Sequence, residues 1–315
     1  MSPEVRRAAE ILARGGLVAF PTETVYGLGA DASSAEAMAR LYAVKRRPAD
    51  HPVIVHFASA EPAFAWAREV PAAARKLAAA FWPGPLTLIL KRSARAADYV
   101  TGGQDSVGLR VPGHPLAHAL LNAFGGGIAA PSANRFGRIS PTTAAHVRAD
   151  LDDDVDCVLE GGASEIGIES TIIDLSAGRA VLLRPGAIDR AALEAVLGEP
   201  VLVQTAVGAG PRHPGGLERH YAPRTPVRLV APHALDREIA QRGGALGVLA
   251  FSRPDARVRV WRRMPREAKA YAQTLYAVLR ELDAAGCDGL LIETPPASPE
   301  WAAVNDRLRR ACGAA

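Results

Sequence analysis

Between residues 199 and 225 the chain has no usable hydrophobic period. The stretch holds Pro200, Pro211, Pro214 and Pro223, with Gly208, Gly210, Gly215 and Gly216. These residues break helices and strands alike. A structureless run of this length is uncommon inside one compact domain, so it reads as a linker or a functional loop between two bodies. The length of 315 residues agrees, because single domains usually run to about 100–200 residues. Three parts are therefore expected: 1–198, a linker at 199–225, and 226–315.

In the first part, Val5, Ala8, Ala9 and Leu12 fall at helical spacing and predict a helix over 3–14. Further helices are predicted over 34–44, 72–81 and 142–150. Strands are predicted over 17–22, 52–57, 86–91, 106–111 and 128–133. CVLEG, STIIDL and AVLLRPG then give three closely spaced strands. Short connections predict antiparallel pairing, and helix-separated strands allow parallel pairing, so a mixed sheet follows. The last part restarts the pattern. It predicts strands at PVRLV, GALGVLAF, VRVWRR and GLLIETP, and helices near 233–242, over 267–286 and over 301–312. That is βαβ logic and predicts a second small α/β domain. Its GGALG run precedes a strand instead of opening a helix, the wrong context for a dinucleotide loop.

Hydrophobic residues make up 49% of the chain, enough for a core in each half. The net charge of +4 fits an anionic ligand such as ATP or RNA. Solvated helix faces explain it equally well. Cys157, Cys287 and Cys312 form no CxxC pair or metal ladder, which fits a reducing cytosol. The first residues carry charge among the apolar positions and lack a signal-peptide core. No run of about 18 apolar residues exists, so no membrane span is expected.

Five segments place polar groups at the ends of apolar strands, where open α/β sheets build ligand sites. FPTETVYGLGAD (20–31) offers Thr22, Glu23 and Thr24, followed by Gly27 and Gly29, which would let the backbone bend closely around a ligand. A turn with capping hydroxyls explains the segment as well. KRRPADHP (45–52) is either a solvated charge run at a helix C-terminus or a polyphosphate grip through Lys45 and Arg47. His56 sits inside an apolar strand, where a core histidine is the ordinary case. Arg110 lies within a strand, so its charge must be paired or face a cavity. APSANRFGRISPTT (130–143) sets Ser132, Asn134 and Ser140 beside Gly137, a composition suited to phosphate or ribose contacts. No P-loop, HExxH or GxSxG motif occurs, so ATP use would need an unorthodox site.

Taken together, PTETVYGLG, Lys45-x-Arg47-Pro48, Ser132-x-Asn134, IESTIIDL and LLRPG resemble the YrdC-like domain in order and spacing. Pro214-Gly215 with His220-Tyr221-Ala222-Pro223 resembles the linker of the two-domain threonylcarbamoyl-AMP synthases. The resemblance covers residues 1 to about 225 well; beyond that it rests on length and α/β pattern. It implies an α/β fold: a twisted mixed sheet curled around a basic cavity, plus a smaller C-terminal Rossmann-like α/β domain. It implies a synthase that condenses L-threonine, bicarbonate and ATP, with Mg²⁺ accompanying the ATP. Its product would feed tRNA modification through a downstream threonylcarbamoyl-transferase complex, with direct tRNA contact a further expectation. A cytoplasmic protein without membrane contact is expected.

Residue by residue, the resemblance gives threonine to Thr24, His56, Arg110, Ser170 and the backbone near Ala130. It gives ATP to Arg47, His51, Ser106, Ser132, Ser140 and Arg184. Lys45 and Asn134 would line the same cavity, with Lys45 and Arg47 the catalytic cations. His220 and Tyr221 would close over the nucleotide. The family often has Asn where this chain has His51, which alters detail at that position. Two rivals stand beside this reading. A carbamoyl transferase of the hydrogenase-maturation type needs acylphosphatase and zinc-finger modules that this chain has neither the length nor the cysteines to supply. A non-enzymatic RNA-binding YrdC-like module would use the same basic cavity.

Overall fold

A computed structural model describes residues 2–204 and 210–313. Residues 205–209, part of the expected linker, lie outside the described residues. The chain divides into two compact units. One comprises Met1–Phe136 and Ser140–Gly216; the other comprises Gly137–Ile139 and Leu217–Ala315.

Among the described residues of the first unit, ten strands form one sheet. They are β1 (Val18–Phe20), β2 (Gly27–Asp31), β3 (Ile54–His56), β4 (Leu86–Lys91), β5 (Ser106–Arg110), β6 (Ile128–Ala129), β7 (Cys157–Val158), β8 (Thr171–Asp174), β9 (Val181–Arg184) and β10 (Leu202–Val203). Their spatial order is β10-β9-β8-β4-β5-β3-β6-β2-β1-β7. The sheet is mixed. The pairs β1–β7, β3–β5, β4–β8 and β9–β10 are parallel and the others antiparallel. Its helices are α1 (Pro3–Ala13), α2 (Ala35–Lys45), α3 (Ala60–Phe64), α4 (Ala72–Phe81), α5 (Asp98–Thr101), α6 (Pro115–Phe124), α7 (Ala144–Leu151) and α8 (Arg190–Leu197). Local chemistry starts them. Ser2, Ser34, Thr143 and Asp189 each accept a hydrogen bond from a first-turn N–H of α1, α2, α7 and α8. The α1 face of Val5, Ala8 and Leu12 packs with Leu120 and Leu121 of α6. Burying one such leucine stabilises the fold by about 1.5–3 kcal/mol.

Three expectations need correction. CVLEG does not pair with its sequence neighbours: β7 lies at the far edge, parallel to β1, with Cys157 opposite Val18. Long-range pairing of so short a strand leaves no local signal. Gly27 and Gly29 do not open a turn. They sit in β2, where a Cβ on Gly29 would come within 2.9 Å of Ile128 and 3.0 Å of Phe20. Close strand packing explains them. The stretch from 199 on is not free of regular structure either, because Leu202–Val203, though exposed, extends the sheet beside β9. Helix α6 went unpredicted, although its signals were present: Pro115 in the first turn and Gly125 just past the end in the left-handed region.

The second unit carries β11 (Val227–Val230), β12 (Leu246–Ala250), β13 (Val260–Arg263) and β14 (Gly289–Glu293). They form a wholly parallel sheet in the order β11-β14-β12-β13. Its helices are α9 (Leu235–Arg242), α10 (Ala268–Ala284) and α11 (Ala302–Cys312). Buried Val248 and Leu291 anchor a core with Leu235 and Ile239 of α9. Parallel strands covered by helices read as continuous apolar runs, which is how β12 and β14 stand in the sequence. The GGALG run ends α9: Gly243 takes a φ of +61°, which a side chain would strain.

Candidate active site

β5 delivers Arg110, a buried guanidinium only 4% exposed. The turn after β1 meets its charge. Nη2 donates to Glu23 Oε1 at 2.7 Å and Nη1 to Thr24 Oγ1 at 3.0 Å; Nε donates to the Gly84 carbonyl at 3.3 Å. Glu23 Oε2 accepts from Gly113 N at 3.1 Å. Burial alone would push the Glu23 carboxyl up, but the Arg110 charge and hydrogen bonds override it and hold it below its ordinary value. Thr22 stiffens the turn. Its hydroxyl donates to Val25 O at 2.6 Å and lies 2.8 Å from the Thr24 hydroxyl. Of the two ways to satisfy Arg110, the structure contains the ion pair, and each Nη nitrogen makes one hydrogen bond among the described residues out of the two it can donate.

His56 closes β3 beside Arg110, its register partner on β5. Burial first, and then the Arg110 charge, drop its pKa to about 3. The ring is therefore neutral at physiological pH. Its Nδ1 is buried without a hydrogen-bond partner among the described residues. Ala130 lies just beyond β6, and its N–H bonds Ile54 O at 3.0 Å.

On the other side of β5, Ser170 precedes β8. Its hydroxyl lies 2.8 Å from Thr87 Oγ1 of β4 and accepts from Arg184 Nη2 at 3.1 Å. Arg184 also donates from Nε to Ser170 O and from Nη1 to Pro214 O, each at 3.0 Å. Ser106, Thr87, Ile54, Ile172, Arg212 and Pro214 line a cavity over this part of the sheet. Its cover is fastened. Gln104 accepts from Arg212 N at 2.5 Å and donates to Arg212 O at 3.0 Å, and Arg212 Nη2 donates to Gly102 O at 2.6 Å.

A third group surrounds the end of α2. Lys45 Nζ donates to the carbonyls of Ser132 and, at 2.6 Å, Asn134. Burial, reinforced by Arg47, moves Lys45 well below its ordinary pKa. Arg47 donates to Pro52 O at 2.7 Å and lies over the Phe136 ring at 5.3 Å. His51 meets the same ring edge-on, and burial followed by Arg47 lowers its pKa. Ser140 donates to Glu169 Oε1 at 2.5 Å, both groups buried.

The candidate residues of the first unit thus fall into groups around Arg110, around Ser170 and Arg184, and around Lys45. His220 and Tyr221 belong to the second unit. There His220 N bonds Arg310 O at 3.0 Å, and the Tyr221 ring lies 5.3 Å from the Arg307 guanidinium and 5.9 Å from the Tyr276 ring. Sequence reasoning missed Thr87, Gln104 and Arg212. Thr87 left a signal, as the one polar residue in the buried run Leu86–Leu90. Gln104 and Arg212 left none, because their bond spans 108 residues.

The first unit thus presents the buried cations Lys45, Arg47, Arg110 and Arg184 together with the buried hydroxyls of Thr24, Ser106, Ser140 and Ser170. The family described as "Telomere recombination" matches residues 10–186, and "Threonylcarbamoyl-AMP synthase, C-terminal domain" matches residues 188–313. The chain belongs to the Sua5/YciO/YrdC family, in its two-domain form. A threonylcarbamoyl-AMP synthase of Pyrococcus abyssi is 39% identical over 98% of this chain and 94% of its own. One from Bacillus subtilis is 38% identical over 99% and 93%. The crystal structure of P. abyssi Sua5 complexed with L-threonine superposes with a TM-score of 0.92 at 39% identity, covering 98% and 94% of the two chains. Full-length HypF, at 19% identity and a TM-score of 0.52 over 60% of this chain, shares the fold alone.

Proposed function

We propose that this protein is a nucleotidyltransferase, an L-threonylcarbamoyladenylate synthase that joins L-threonine, bicarbonate or CO₂, and ATP, and releases pyrophosphate. The observation that carries this reading is the Arg110 fork, held by Glu23 and Thr24 with one hydrogen free on each Nη nitrogen. That geometry suits a substrate carboxylate. The Sua5 relative crystallised with L-threonine and the synthase names of the full-length relatives support the same substrate.

The neutral amine of threonine attacks the carbon of CO₂ and passes a proton to water, giving a carbamate. A carbamate oxygen then attacks the α-phosphorus in line. The bond to the bridging oxygen breaks, and pyrophosphate leaves with the electron pair. No protein nucleophile is needed. Positioning and charge neutralisation supply the catalysis. Arg110 and Thr24 orient threonine, with Ser170 and the Ala130 backbone beside them. Neutral His56 offers a hydrogen bond and does not store a proton. Lys45, Arg47, His51, Ser106, Ser132, Asn134, Ser140 and Arg184 receive the nucleotide. The segment at Arg212–Pro214 shields a labile carbamate from water.

Among the described residues, no group of three or more His, Cys, Asp or Glu side chains could hold a metal ion. Mg²⁺ arriving with ATP would rest mainly on phosphate oxygens and water, with Glu169 the buried carboxylate nearest to hand at Ser140. The product is a mixed anhydride and hence an acyl donor, and we propose that a downstream threonylcarbamoyl transfer to tRNA consumes it. We propose the cytoplasm as its compartment.

The test is pyrophosphate release with each substrate omitted in turn. Release that needs threonine and bicarbonate together is expected. Equal ATP turnover without threonine overturns the reading. Salt-dependent RNA affinity with no turnover favours the non-enzymatic RNA-binding module.

A further inference from the structure

The second unit contains a cavity that the synthase chemistry does not use. It lies at the carboxyl ends of β11, β14 and β12, and its volume is about 540 Å³. Pockets of about 300–1,000 Å³ hold small organic ligands. Its position is the one that parallel sheets reserve for them. β12 leads on to β13 on one side, whereas β14 leads to α11, which packs on β11 at the other. The chain diverges between β14 and β12, and a crevice opens there.

The lining has a definite chemistry. Phe251 and Trp301 form an aromatic wall, their rings 5.8 Å apart. Glu293 ends β14. Its Oε2 accepts from Phe251 N at 2.7 Å, and its Oε1 takes no hydrogen bond among the described residues. Arg266 stands over the Phe251 ring at 5.6 Å. Behind the wall, Tyr271 packs on Phe251 and Trp301 at 5.8 and 5.4 Å, and its buried hydroxyl has no hydrogen-bond partner among the described residues. Buried hydroxyls are normally bonded.

The lining disfavours one ligand class. Pro232, Pro295 and Pro296 border the cavity and offer no N–H, and Arg266 is the one cation among its lining residues. A polyphosphate calls for several N–H donors or cations together. What fits is a flat ring against the aromatic wall, with hydroxyls for the open oxygen of Glu293. An acidic side chain at a strand end is a standard partner of ribose hydroxyls.

We propose that this crevice is a second ligand site, which binds a nucleoside without a polyphosphate: ribose hydroxyls on Glu293, base against Phe251 and Trp301, and Arg266 at the rim.

Equilibrium dialysis of the full chain against labelled adenosine, guanosine, cytidine and uridine tests this, with L-threonine and L-phenylalanine as amino-acid probes. Saturable binding of at least one nucleoside is expected. Glu293→Gln and Arg266→Ala should each weaken it by about tenfold or more, the scale of one charge-assisted hydrogen bond. Neither change should alter threonine-dependent pyrophosphate release, which separates this site from the synthase reading. Nucleoside binding that both variants leave intact overturns the proposal, because it then belongs to the first unit. Binding of no nucleoside overturns it too, as does a Glu293-dependent site that takes only the amino acids.

Discussion

Arg110 Nη2 lies 2.7 Å from Glu23 Oε1, so a carboxylate from the turn after β1 neutralises the cation at the end of β5. Breaking a buried pair strands a charge at a cost of about 3–5 kcal/mol. Glu23→Ala should destabilise the fold by about that much in urea denaturation. Glu23→Gln, which keeps an acceptor for Gly113 N, should cost less. A loss under about 1 kcal/mol for the alanine would remove the pair from the stability account.

The same arginine should govern threonine affinity. Arg110→Ala removes a charge-assisted contact, so calorimetry should show binding weakened about 10- to 150-fold. Arg110→Lys should not restore it, because an ammonium lacks the fork that reaches Glu23 and Thr24 at once. Unchanged affinity in either variant would take the carboxylate contact away from Arg110.

His56 gives an acid-sensitive term of known sign. Its folded pKa, about 3, lies below the ordinary value of 6.5. The unfolded chain takes up the proton first, so stability is intact above pH 6.5 and erodes as pH falls towards 3. The slope is about 1.4 kcal/mol per pH unit, or about 2 kcal/mol lost near pH 5. His56→Phe should flatten that part of the profile measured by denaturant titration. An unchanged profile would show that other groups set it.

Lys45 bonds two carbonyls that lie 87 and 89 residues away in sequence. Lys45→Met removes one donor from each, leaving Ser132 O with Asn134 N at 2.9 Å, and takes a cation from the proposed nucleotide site. Pyrophosphate release should fall by about 100-fold or more, on the scale of one lost catalytic electrostatic contact. Wild-type turnover in a folded Lys45→Met protein would assign Lys45 to structure alone.

Much of this was legible in the chain, for identifiable reasons. β4 and α4 fall where periodicity and the Trp82-Pro83-Gly84 stop place them, and the parallel sheet of the second unit follows from its apolar runs. What was hidden is non-local. The pairing of β7 with β1 joins residues 139 apart in register, and nothing near Cys157 encodes it. Glu23 looked like a neighbour of Thr24 until β5 placed Arg110 against it. Gly29 looked like freedom and proved to be crowding, because Phe20 and Ile128 leave no room for a Cβ.

The bonds among Gln104, Arg212, Arg184 and Pro214 carry a consequence about time. We predict that they gate an intermediate held beneath them, so that its residence follows an opening rate and not affinity alone. Gln104→Ala should raise that rate and let an unfinished carbamate escape and decompose. Its signature is a fall in threonylcarbamoyl-AMP formed per ATP consumed, read by chromatography. A ratio equal to wild type would mean that the cover follows the chemistry without pacing it. If the ratio falls, a glutamine outside every recognised motif sets how faithfully ATP is spent.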